Sequence, residues 1–193
     1  MRRRGNGCVT IAICIRVTVS YSSLKPMSFP TLFIREWVGE LDPRVRYAGR
    51  SLGCGDWLTP PSLLAEIVRR WGIDFDPCPY PRPEWDGLRV HWGRRCFVNP
   101  PYGLGVGRWL DKAILEIGHE CTKYAVFLLH ARTDTRWFHD YVVPHACEVY
   151  AVRGRVQFIS PSEGGPMRNP FPSIIVVFDE DLRGPPTLRS FTL

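Results

Sequence analysis

Between Thr59-Pro60-Pro61 and Gly72, apolar residues recur at three- and four-residue intervals: Leu63, Leu64, Ile67, Val68 and Trp71. That spacing predicts an amphipathic helix. Thr59 is its expected N-cap, proline occupies the first turn, and Gly72 supplies the stop. A second helical stripe runs through Gly107–Gly118, with Trp109, Leu110, Ala113, Ile114 and Ile117 on one side. Asp134–Val142 reads as a third helix, capped by Thr133 or Asp134 and stopped by Pro144. Strands are expected where short apolar or alternating runs meet turn residues. These are Ile73–Asp76 (stopped by Pro77), Arg95–Val98, Tyr124–Leu129, Glu148–Val152, Arg155–Ile159 and Ser173–Phe178. Tyr124–Leu129 is apolar throughout, as a strand buried on both faces should be.

Strand and helix alternate, and the last strands then follow closely on one another. This order predicts an α/β fold: a mixed sheet with helices on both faces and an antiparallel C-terminal edge. Residues 1–50 lack such order and are read as a poorly defined N-terminal extension, with 51–193 as the folded domain. They contain the β-branched run Val9–Val19 and a polar stretch from Ser20 to Pro30. Met27 is a candidate true start.

Composition adds limits rather than an identity. At 193 residues, 45% hydrophobic and 23% charged, the chain suits one globular domain. No apolar run reaches membrane-spanning length. The basic start Met1-Arg2-Arg3-Arg4 precedes no clean apolar stretch or small-residue cleavage site, so a secretory signal is rejected. The net charge of +6 suits an anionic partner. Lys25, Lys112 and Lys123 are the only lysines among 25 basic side chains, leaving 22 arginines. Arginine forks onto phosphates and stacks on bases. The seven cysteines form no C-x-x-C pair. Cys54, Cys78, Cys96 and His91 match no compact zinc module, so no metal is expected and a reducing cytoplasm is.

The candidate chemistry lies at Asn99-Pro100-Pro101-Tyr102, directly after a strand and before Gly103, Gly105 and Gly107. An exocyclic amino group on a planar ring is a poor nucleophile, because its lone pair is delocalised. Two acceptors that hold both N–H bonds let the nitrogen rehybridise toward an electrophile. Asn99 offers a neutral side-chain carbonyl. Pro100 offers a backbone carbonyl, and Pro101 restricts its direction. Tyr102 offers a ring face on which an extruded base can stack. The carboxyl edge of an α/β sheet is where ligands bind.

These motifs extend along the chain in a fixed order. Trp57-Leu58-Thr59-Pro60 is followed by Asp74-Phe75-Asp76-Pro77-Cys78-Pro79 and Asp86-Gly87-Leu88. After Asn99-Pro100-Pro101-Tyr102-Gly103 come Arg108-Trp109-Leu110-Asp111-Lys112-Ala113 and Leu128-Leu129-His130-Ala131-Arg132-Thr133-Asp134-Thr135-Arg136-Trp137-Phe138-His139. Gly154-Arg155-Val156-Gln157-Phe158 and Pro170-Phe171-Pro172-Ser173 complete the set. Over residues 56–179 the sequence resembles the phage-type Dam family of DNA N-6-adenine methyltransferases.

The resemblance implies a Rossmann-like class I methyltransferase fold, S-adenosylmethionine as cofactor and double-stranded DNA as partner. It implies site-specific transfer to the 6-amino group of a flipped adenine, in the cytoplasm (the host's, if the gene is a phage's). Thr59 and Pro60 resemble a cofactor-side element, Asp76, Pro77 and Cys78 the acidic end of the first cofactor strand, and Asp86 a carboxylate for the cofactor's adenine. Pro77-Cys78-Pro79-Tyr80-Pro81 stands where most such enzymes carry a glycine-rich loop. Asp76 and Asp86 also read as turn-capping carboxylates, and Asp74 as structural. Arg132, Asp134 and Arg136 are candidates for DNA or target-base contact, with helix capping as the other reading of Asp134. Arg155 is a candidate phosphate contact or part of a solvated face. His130, His139 and His145 read as structural or solvent-facing. Two other functions stay open: methyl transfer to RNA or to a protein amide, and a DNA-binding module on a decayed methyltransferase scaffold. The oligomeric state is not legible.

Overall fold

The computed structural model describes residues 57–103, 105–160, 166, 169–181 and 184–192. The N-terminal extension at 1–50, the start at Met27, Cys54 and the boundary at residue 51 lie outside the described residues.

The elements run α1 (Pro61–Trp71), β1 (Arg95–Val98), α2 (Val106–Gly118), β2 (Tyr124–His130), a π-helical turn (Phe138–Val142) leading into α3 (Val143–His145), β3 (Glu148–Val152), β4 (Ser173–Asp179) and β5 (Thr187–Phe191). The five strands form one sheet in the order β1-β2-β4-β3-β5. β1 pairs with β2 in parallel and β3 with β5 in parallel, whereas β4 is antiparallel to both β2 and β3. The α/β class and the mixed sheet are as expected. The antiparallel strand, however, lies inside the sheet, and the edge strand β5 is parallel to its neighbour.

Alternate residues divide the core into two layers, as the two-residue period of a strand dictates. Cys96, Val98, Ala125, Phe127, Leu129, Ile174, Val176 and Phe178 face Val106, Trp109, Leu110 and Ala113 of α2. Phe97, Val126, Leu128, Ile175 and Val177 face Leu63, Leu64 and Ile67 of α1 on the other side. Helices therefore cover both faces. Glu116 of α2 is 3% exposed yet satisfied. It meets the Lys112 ammonium, accepts the Trp92 N–H at 3.1 Å and lies 3.5 Å from His91. Cys96 and Cys147 are buried free thiols whose Sγ atoms donate to the Gly93 and Val177 carbonyls.

Several boundaries differ from the sequence reading. Pro60, not Thr59, is the N-cap of α1, and no side chain caps it; Thr59 is buried. Gly72 ends the helix in a left-handed conformation, φ 58°, with its N–H on the Val68 carbonyl. Ile73–Asp76 forms a single bridge, Phe75 to Cys96, alongside β1. Arg155–Ile159 is likewise no strand; Ile159 bridges to Leu58 and Pro166. Pro144 does not stop the third helix but sits inside α3. Proline lacks an N–H and crowds the preceding turn. Here that turn is wound wide, with the Val143 N–H reaching the Phe138 carbonyl five residues back.

The segment after Asp76 is held by close backbone approach. A Cβ on Gly87 would lie 1.8 Å from the Pro77 carbonyl oxygen, and the Trp92 indole N–H donates to the Gly87 carbonyl at 2.7 Å. Gly87→Ala is expected to cost about 1–3 kcal/mol or more, the range for overpacking. It should lower the urea midpoint without changing the slope of the transition. An unchanged midpoint would show that the two backbones are not in contact.

Candidate active site

β1, β2, β3 and β5 all point the same way, so their carboxyl ends share one edge of the sheet, where β4 begins. Asn99 follows β1 there, Ala131 and Arg132 follow β2, and Arg153–Arg155 follow β3. Asp76 reaches the same edge because Phe75 runs parallel to β1 and bridges Cys96.

Asn99 is the sharpest feature of this edge. Its Nδ2 donates to the Trp57 carbonyl at 2.7 Å. Because a carbonyl can only accept, that contact fixes which end of the amide is nitrogen. Oδ1 is consequently the free end, and it is buried without a hydrogen-bond partner among the described residues. Leaving a buried acceptor unmatched costs about 1–3 kcal/mol. The protein thus holds a preoriented acceptor for which no donor is supplied among the described residues. Pro100 beside it is buried and Pro101 is half-buried.

One narrow cleft brings Asn99 and Pro101 together with Thr59 and Asp76. The Asp76 Oδ1 accepts the Cys78 N–H at 2.7 Å, so its turn-capping reading holds for one oxygen. Burial drives the Asp76 carboxyl up to about 7, against the downward pull of that N–H. A half-buried carboxylate that loses its proton near neutrality is suited to meeting a cationic or donor-bearing ligand. The cleft has about 40 Å³ of free space, enough for a few waters at about 10–15 Å³ each. Cys78, Pro79, Tyr80 and Arg82 form the wall of the cleft opposite Asn99 and Thr59.

Tyr102 is packed against the α1-side core. Its hydroxyl faces the Leu128 carbonyl at 3.4 Å, and burial raises the phenol pKa well above its ordinary value. Phe158 meets the ring edge-on at 5.8 Å. His130, the last residue of β2, stacks on it with ring centroids 3.8 Å apart and planes 8° from parallel.

The other residues singled out from sequence fall into place as follows. Pro60 and Pro77 flank the cleft residues Thr59 and Asp76 in sequence without lining the cleft themselves. Asp86 is outside it too; its Oδ1 accepts the Leu88 N–H at 2.9 Å and its Oδ2 is 3.6 Å from Arg89. It caps a turn. Asp74 holds Arg95 through two hydrogen bonds of 2.9 and 3.0 Å and is structural. Asp134 accepts from Arg132 at 3.2 and 3.3 Å, which lowers the Asp134 pKa; it caps no helix by its side chain. Arg132, Arg136 and Arg155 are exposed at or beyond the carboxyl edge.

Sequence reasoning missed Trp57 as the partner of Asn99 and Arg82 as part of the cleft wall, whereas Cys78 and Tyr80 of that wall belong to the loop expected on the cofactor side. The Trp-x-Thr-Pro pattern hinted at the first, although the contact is made by a backbone carbonyl. It also missed His130, since nothing local places a β2 residue over Tyr102.

A mixed α/β sheet that brings the half-buried Asp76 carboxylate together with Asn99 and Pro101 of an Asn-Pro-Pro-Tyr segment in one cleft, with Tyr102 packed outside it, fits a Rossmann-like methyltransferase. The comparisons with known proteins agree and narrow the class. The profile of the DNA N-6-adenine-methyltransferase (Dam) family matches residues 55–192. A DNA N-6-adenine-methyltransferase of Haemophilus phage HP1 (strain HP1c1) is 34% identical over 137 residues, covering 64% of this chain and 78% of that protein. The chain belongs to the DNA N-6-adenine-methyltransferase family and is a DNA adenine methyltransferase. Among the described residues, no helix is long and apolar enough to cross a membrane.

Proposed function

We propose that this enzyme transfers a methyl group from S-adenosylmethionine to the 6-amino group of an adenine extruded from double-stranded DNA, at a specific site. The unmatched Oδ1 of Asn99 carries the reading. Asn99 Oδ1 and the Pro100 carbonyl accept the two N–H bonds of the amino group. The nitrogen lone pair is thereby released from the ring and directed toward the electrophile. Tyr102 supplies the stacking face, a contact worth about 1–3 kcal/mol per base. No side-chain base is required, because the methylated ammonium can pass its proton to water. Most of the rate then comes from positioning.

The cleft residues fit the cofactor's donors. Asp76 would receive its charged or donor groups, and Thr59 would add a hydroxyl. When bound, the cofactor supplies the methyl group on a positively charged sulfur. Arg132, Arg136 and Arg155 would meet phosphates around the extruded nucleotide. Extrusion gives the base access to a cleft that a duplex cannot enter. The free, buried thiols of Cys96 and Cys147 suit a reducing cytoplasm.

Sequencing that detects modified bases, applied to DNA from cells expressing the protein, tests this reading. N-6-methyladenine should accumulate at one recurring sequence. Unmodified adenines throughout, with the protein present and folded, would overturn it.

A further inference from the structure

The extruded base has a competitor inside the protein. His130 lies on Tyr102 in the geometry expected of a stacked base, 3.8 Å between ring centroids and 8° between planes. Phe171 backs it at 5.1 Å, and Arg132 lies over Phe171 at 5.7 Å. The Tyr102 ring is otherwise engaged with the α1-side core and the edge of Phe158. A base seeking this ring therefore meets His130 first.

We infer that His130 holds the place of the target adenine in the DNA-free enzyme and turns off Tyr102 as the base enters. The inference rests on the proposed reaction and names a residue that sets how readily the site accepts a base. The backbone at His130 is fixed, for His130 pairs with Ser173 and the next amide donates to the Pro172 carbonyl at 2.8 Å. The exchange is therefore a side-chain rotation rather than a movement of β2. Nothing described hydrogen-bonds the imidazole, so only ring contacts oppose that rotation. Burial and the Arg132 charge both lower the His130 pKa. The ring is accordingly neutral at neutral pH, like the base it precedes. A protein whose binding-competent form is only partly populated binds more weakly by that fraction.

The test uses the full chain and a duplex carrying the sequence at which cellular DNA is methylated. His130→Ala should bind that duplex, with S-adenosylhomocysteine present, roughly three- to tenfold more tightly than the parent, the range that one aromatic stack contributes. His130→Phe, which keeps a ring there, should show no such gain. In the parent enzyme, the His130 ring protons should resonate upfield under the Tyr102 ring current and return toward free-histidine positions when the duplex is added. The inference requires both results. Unchanged or weaker binding by His130→Ala would make His130 a wall of the base site or an idle neighbour, and overturn it. Ring protons that stay shielded in the complex would overturn it equally. If the parent methylates no adenine, the proposed reaction fails; if it does while His130→Ala gains nothing, only this inference fails.

Discussion

Asn99→Ala should lower turnover on DNA by a factor on the order of a hundred to a thousand, the effect of deleting one preorganised hydrogen-bonding group at a reacting centre. Its fold should nonetheless survive, and the magnitudes say why. The substitution removes the hydrogen bond to the Trp57 carbonyl, worth about 1 kcal/mol. It also removes a buried acceptor without a partner, whose burial costs about 1–3 kcal/mol. These terms oppose, so folding stability should change by no more than about 1 kcal/mol in either direction. Cofactor affinity should fall little, because Asp76 and Thr59 remain. An asparagine kept for structure would behave in the opposite way, with lower stability and near-normal turnover per folded molecule. Urea unfolding and single-turnover methylation on the same preparation separate the two outcomes.

Asp76→Asn should raise stability at alkaline pH while weakening the cofactor. Burial lifts the Asp76 carboxyl from 3.8 to about 7 in the folded protein. The folded chain thus binds this proton more tightly than the unfolded chain does. The stability it contributes is present below about pH 4 and lost as pH rises through about 7. Asparagine keeps an oxygen to accept the Cys78 N–H and carries no charge. The variant should match the parent near pH 4 and exceed it by roughly 1–3 kcal/mol at pH 8, an amount reduced by the water that reaches the cleft mouth. Parental affinity for S-adenosylmethionine should rise with pH up to about 7, as the carboxyl ionises, and then level off. Calorimetry on Asp76→Asn should show affinity lower by roughly ten- to a hundredfold, as for a lost hydrogen bond to a charged group, and that pH dependence should flatten. Unaltered affinity would place the cofactor elsewhere.

The sheet's central strands and the two long helices were legible because their burial is periodic. Leu63, Leu64 and Ile67 repeat at helical spacing and all three are buried. Tyr124–Leu129 is apolar because β2 has neighbours on both edges and cover on both faces. Periodicity reports burial, however, and not pairing. Val156 and Phe158 alternate and are buried, yet among the described residues their segment makes only the bridges at Ile159. β5 shows the converse. It pairs with β3 along five residues, but Leu188 is 76% exposed and only Phe191 is buried. An edge strand with a solvated face leaves little hydrophobic signal. The Asn-Pro-Pro-Tyr chemistry was legible because proline and asparagine state their own constraints. The contact that orients Asn99 was not, since a backbone carbonyl has no letter in the sequence. The stack of His130 on Tyr102 depends on how β1 and β2 end side by side, which is a property of the assembled sheet.

The most direct test of the account is methyl transfer by the purified protein from isotopically labelled S-adenosylmethionine. Duplex DNA, RNA and cell protein are offered together, then separated, digested and analysed by mass spectrometry. The account predicts label in DNA as N-6-methyldeoxyadenosine, and its loss from the same assay with Asn99→Ala. Label in RNA, in protein or on cytosine, or undiminished label in DNA with Asn99→Ala, would contradict it.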